Sequence, residues 1–192
     1  MRTRGQSGVE SGLRHLSFFC LLLMPSAAVT AVPAYQPVAM PIGNGADPLA
    51  SGAARMVGAI LEYTRWPAEH PVIRLCVVGA TRHAGRLDEA SPPHGARIDL
   101  SPLSDPTEPA RNRCDALYIG QLASVPLRRL IGDMRGKPVV TIAEDDPDCR
   151  SGAMFCLIFT PQTLSFQLNI DAVSRSAVRI DPRVLRMSKG GY

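Results

Sequence analysis

The chain has 192 residues, 45% of them hydrophobic and 20% charged, and a formal charge of +4. That is enough chain for one domain with a real core. Arg2, Arg4 and Arg14 against Glu10 supply half of the positive charge, so the remainder offers no argument for nucleic acid, and no basic block or internal repeat is present.

Residues 1–14 are polar and carry three arginines, residues 16–24 form a short apolar run, and small residues follow over 25–31. This is the order of a secretory signal peptide, so residues 1–31 are expected to be one. The run is too short to cross a bilayer core of roughly 30 Å. The alternatives are an uncleaved anchor or a lipid on Cys20. Cleavage after Ala28 or Ala31 removes Cys20 and leaves Cys76, Cys114, Cys149 and Cys156 in an exported chain. Two disulfides are then the default, and the periplasm the expected location. Residues 32–47, rich in Pro, Gly and Ala, read as a flexible leader, and residues 48–192 as the folded domain.

Over 49–65, apolar Ala53, Met56, Val57, Ile60 and Leu61 recur at helical spacing. Trp66-Pro67 is expected to end that helix. Residues 72–78 are β-branched and apolar and are closed by Gly79, which predicts a buried strand. Residues 81–90 read as a short helix or loop, 96–103 as a second strand, and 104–113 as loop. A third strand covers 116–119. A helix after it is capped by Ser124, carries Leu127, Leu130, Ile131 and Met134 on one face, and stops before Gly136. Residues 138–143 make a fourth strand. Residues 154–160 and 164–169 suit an antiparallel hairpin. Asp171 caps a final helix that takes in Ala177 and reaches toward Ile180, and a last apolar turn follows with Val184, Leu185 and Met187.

Strands alternating with helices imply a single three-layer α/β domain: a mostly parallel sheet of about six strands with a C-terminal antiparallel hairpin. Four cysteines allow three pairings. Cys76 lies in the first predicted strand and Cys114 just before the third, and such strands are often neighbours in doubly wound sheets. Cys149 and Cys156 flank the start of the hairpin. The favoured pairing is therefore Cys76–Cys114 and Cys149–Cys156; the alternative for Cys76 is a buried free thiol.

No G-x-S-x-G elbow, H-E-x-x-H or phosphate-binding glycine loop occurs. Catalytic residues, a cofactor and a metal are accordingly not expected. His70, His83 and His94 read as scattered surface residues. Asp145, Asp146 and Asp148 could hold calcium, but a solvated turn is the better reading. Trp66 closes the first helix onto the sheet or, alternatively, contacts a ligand or partner.

Gly152-Ala153-Met154, then residues 164–170 (LSFQLNI), Ala172, Arg175-Ser176-Ala177, Ile180 and Val184-Leu185 follow one order. Near the front, residues 62–67 (EYTRWP) precede residues 73–79 (IRLCVVG), and residues 114–119 (CDALYI) stand mid-chain. Together these resemble the YfiR-like periplasmic proteins over about residues 53–187. The resemblance implies a non-catalytic repressor that holds a membrane diguanylate cyclase of the YfiN type inactive. It further implies titration by an outer-membrane lipoprotein of the YfiB type, control of cyclic di-GMP and biofilm, and a homodimer. A periplasmic small-molecule receptor is the competing reading, and a hydrolase a remote third. Residues 172–187 mix apolar side chains with Arg175, Arg179, Arg183 and Arg186, a combination common at interfaces. These four are the expected partner-binding residues, unless the apolar members serve only to seal the core.

Overall fold

The computed structural model describes residues 39–92, 95–105 and 113–187. The expected signal peptide, most of the leader and His94 lie outside them, as does most of the loop 104–113. No helix among the described residues is long and apolar enough to cross a membrane.

Strand β1 (Met40–Pro41) precedes helix α1 (Pro48–Glu62). Proline at the first helical position needs no N–H partner, and the Asp47 carboxylate caps the turn by accepting the Ala50 N–H at 3.1 Å. The expected stripe of Ala53, Met56, Val57, Ile60 and Leu61 is buried. The helix stops three residues earlier than the periodicity suggests. Thr64–Arg65 instead forms β2, antiparallel to β9 (Arg179–Ile180). Proline at 67 disfavours helix before it, and the Asp181 N–H takes the Tyr63 carbonyl at 2.8 Å. A pairing distant in sequence thereby replaces the last helical turn.

Strand β3 (Val72–Val78), a short 3₁₀ turn (Leu87–Glu89), β4 (Arg97–Leu103), β5 (Ala116–Ile119), helix α2 (Ser124–Met134), β6 (Val140–Ala143), β7 (Phe155–Phe159) and β8 (Thr163–Leu168) follow. Helix α3 (Ile170–Ser174), β9 and helix α4 (Val184–Met187) close the chain. The main sheet has seven strands in the order β1-β8-β7-β6-β5-β3-β4. Strands β4, β3, β5, β6 and β7 are parallel, and β7–β8 is the antiparallel hairpin.

The pleat sorts side chains between two faces. Leu75, Ala116, Tyr118, Val140, Ile142, Phe155 and Leu157 pack with α1. Cys76, Val78, Leu117 and Ile119 pack with Leu130 and Met134 of α2. This is the expected three-layer arrangement. Strand β4 is the open edge. The Arg97 N–H donates to the Pro71 carbonyl at 3.0 Å, so with this register residues 97, 99, 101 and 103 face β3 and Pro102 faces outward. Proline there removes a free edge donor and blunts the edge against further strand pairing.

Two caps differ from expectation. Ser124 is the first residue of α2 rather than its cap, and Ala123, at the cap, supplies no side-chain acceptor. Asn169, not Asp171, caps α3 by accepting the Ala172 N–H at 3.0 Å. That helix is five residues long and does not reach Ala177 or Ile180, because β9 is drawn out to pair with β2.

Candidate interaction site

Cys76 and Cys114 are joined by a disulfide, as are Cys149 and Cys156, with Cα–Cα separations of 5.8 and 5.3 Å. The first bridge lies between the sheet and α2, in the cluster that includes Leu117, Leu130 and Met134. The second ties the loop after β6 to β7, where Cys156 is fully buried beside Ala143 and Ala153. Asp146, Cys149 and Cys156 lie close enough to share a metal, but both sulfurs are committed to each other.

The parallel strands run 2-1-3-4-5, which places the topological switch between β3 and β5. Open α/β sheets bind ligands at such a point. Here it is stitched shut. The Ala80 N–H donates to the Gln121 carbonyl at 3.1 Å and the Gln121 N–H to the Ala80 carbonyl at 2.8 Å. A Cβ at Gly120 would fall 2.4 Å from the Ala80 carbonyl oxygen, so only glycine permits this approach. A crevice of about 430 Å³ remains to one side, lined by Leu122, Ser124, Glu144 and Arg150 among others.

The acidic run after β6 is used within the fold. The nearly buried Glu144 carboxylate accepts the backbone N–H groups of Arg82 and His83. Asp145 pairs with Arg82, and Asp148 with Arg150 at 2.8 Å. Asp146 accepts the Arg150 and Ser151 N–H groups at 2.9 and 3.0 Å. The Tyr118 hydroxyl is buried without a hydrogen-bond partner among the described residues. Burial first, and then the nearby Glu144 charge, raise its pKa.

Trp66 is half-buried at the opposite end of the sheet, where its ring packs against the α1-side core. Its Nε1–H donates to the Asp115 carbonyl at 3.2 Å, and its ring meets His70 edge-on at 5.7 Å. His83 stacks on Phe159 with ring centroids 4.3 Å apart, so two of the expected surface histidines have aromatic neighbours.

The four C-terminal arginines do not form one patch of free cations. Arg175 pairs with Asp171. Arg183 forks onto Asp181, with its Nη2 at 2.7 Å, and lies over the Tyr63 ring. Its hydrogen bonds hold the Asp181 carboxyl down at about 2. Arg179 stands exposed on β9, opposite Arg65. The Arg186 side chain lies outside the described part. Arg175 belongs to a different grouping that sequence reasoning missed. A cleft of about 300 Å³ between α2 and α3 is rimmed by Arg128, Arg135 and Arg175 over Ile131, Met134 and Met154. The signal was present as two arginines seven apart in a helical stretch. Their third member comes from the other side of the hairpin.

Among solved structures, the chain is similar to a ureidoglycine–glyoxylate aminotransferase from Bacillus subtilis at 10% identity, covering 79% of this chain and 41% of that one, with a TM-score of 0.40. It is also similar to an O-acetylhomoserine sulfhydrylase from Wolinella succinogenes at 16% identity, covering 73% and 43%, with a TM-score of 0.37. The chain spans less than half the length of each, and likenesses this weak say nothing of its chemistry. The model of the YfiR/HmsC-like family matches residues 51–189, from the first turns of α1 to beyond α4. The chain therefore belongs to the YfiR/HmsC-like family.

Proposed function

We propose that this protein is a periplasmic regulator with no catalytic chemistry of its own. It holds an inner-membrane diguanylate cyclase of the YfiN type inactive by binding its periplasmic sensor region, and an outer-membrane lipoprotein of the YfiB type titrates it. Residues 1–31 direct export and are removed, and the mature chain acts as a homodimer. The observation that carries this reading is the family match over residues 51–189, from the first turn of α1 onward. The two disulfides fit an oxidising compartment. Deleting the gene in a strain with an intact neighbouring cyclase should raise cyclic di-GMP, and the plasmid-borne gene should restore it. Unchanged cyclic di-GMP would refute the proposal.

A second reading, capture of a small molecule, draws on the crevice beside Glu144. That crevice lies at the carboxyl edge of the sheet, where α/β domains bind ligands. A solute transporter encoded beside the gene, in place of a cyclase, would favour it.

A further inference from the structure

The face of the sheet that α2 covers is roofed in two pieces. Helix α2 lies over β3 and β5, and the disulfide-bound loop lies over Ala143 and Cys156. The cleft between α2 and α3 is left open beside them, with apolar Ile131, Met134 and Met154 within it. Arg128 and Arg135 stand on its rim. Arg128 lies in the second turn of α2 and Arg135 is the extended residue that ends it, and both line the cleft. Both are exposed, and neither has a carboxylate partner among the described residues. Arg175, across the cleft, is already held by Asp171.

The two walls are fixed to each other. The Gly136 N–H donates to the Arg175 carbonyl at 2.8 Å, and the Ala177 N–H to the Lys137 carbonyl at 3.2 Å. The arginines are thus presented on a preorganised frame, which lowers the cost of binding. Ile170, 71% exposed, lies in sequence between Asn169 and Asp171, both of which line the cleft. Free guanidinium groups beside an apolar floor, with an uncovered isoleucine adjoining, are the composition of a protein contact.

We propose that this cleft seats an acidic segment of the protein partner. Two of its carboxylates pair with Arg128 and Arg135, and an apolar side chain between them enters toward Ile131 and Met154. The proposal rests on the regulator reading for the existence of a protein partner. A small free anion fits less well, because the rim arginines are exposed and would leave it hydrated, whereas a chain segment also covers Ile170.

The test uses the folded mature chain and a fluorescently labelled peptide of alternating glutamate and leucine. Binding is followed by anisotropy, with free glutamate as competitor and a glutamine-for-glutamate peptide as control. The acidic peptide should bind, and Arg128→Glu with Arg135→Glu should weaken it about tenfold or more at an unchanged melting temperature. No binding, equal binding by the double variant, equal binding of the glutamine peptide, or displacement by free glutamate at comparable concentration would each overturn the proposal. The same variant, tested in cells, should fail to repress the cyclase. Full repression by a variant that no longer binds the peptide would remove the cleft from partner recognition and leave the regulator reading standing. If the wild-type protein does not repress, the regulator reading fails, and the peptide measurement still decides the cleft.

Discussion

Arg74 and Asp115 grip each other across the seam between β3 and β5. The guanidinium donates from Nε at 3.0 Å and from Nη2 at 2.8 Å to the two carboxylate oxygens. The Arg74 N–H donates to the same carboxylate, and the Asp115 N–H donates to the Arg74 carbonyl, each at 2.9 Å. Burial alone would push the Asp115 carboxyl up. The Arg74 hydrogen bonds, aided by the charges of His70 and Arg74, outweigh it and hold the group below the usual range. The pair ties β3 to the start of β5, next to Cys114 and its disulfide.

Asp115→Asn should therefore destabilise the fold, by about 1–3 kcal/mol for a lost charged hydrogen-bond set whose arginine is half exposed. A depressed carboxyl contributes stability that is present above the unfolded value of about 3.9 and is lost as pH falls through the folded value. Urea unfolding across the acid range should show a flatter decline below about pH 4 for the variant than for the wild type. Parallel curves would mean that Asp115 does not carry this linkage.

The two bridges should differ in weight. Cys76–Cys114 spans 38 residues and Cys149–Cys156 spans 7. Chain entropy assigns about 4 and about 2.5 kcal/mol respectively. Cys76→Ser should lower the melting temperature and the yield of soluble periplasmic protein more than Cys149→Ser, which releases only the loop over Ala143. The reverse order would show that the shorter bridge is the main staple.

Thiol titration of the secreted protein, unfolded but not reduced, should find no free thiol. A chain that keeps its N-terminal segment retains Cys20 and should show one, so the same titration, read with intact mass, also tests removal of residues 1–31. Two or more thiols would contradict the pairing.

On the proposed regulator function, Arg175→Glu with Arg179→Glu should release the cyclase while leaving thermal stability nearly unchanged. Arg175 loses only an exposed ion pair with Asp171, worth about 0–1 kcal/mol. Arg179 faces Arg65 across the β2–β9 pair. Like charges in that position repel, so a glutamate there should help. Full repression by the well-folded double variant would take these two arginines out of the partner surface.

Gly120→Ala should cost about 1–3 kcal/mol, typical of forced overpacking, because its Cβ meets the Ala80 carbonyl rather than a movable side chain. An unchanged melting temperature would show that the Ala80–Gln121 stitch opens freely.

Local pattern alone located the elements that depend on their own residues. The apolar run 72–78, the strand at 116–119 and the α2 stripe of Leu130 and Met134 are all legible, because burial on one or both faces leaves a periodicity of two or 3.6. The disulfide pairing followed from the same strand assignments. Tertiary contacts decided the rest. The end of α1 and the whole course after Ser174 are set by β2 pairing with β9, residues more than a hundred positions apart, and no local propensity encodes that meeting. The same holds for the sites. Asp145, Asp146 and Asp148 read alone as a charge cluster, yet their partners are the surrounding loop and Arg82. Arg175 reads alone as one of four C-terminal arginines of a partner surface, and it meets Arg128 and Arg135 around one cleft only when the hairpin carries α3 back against α2.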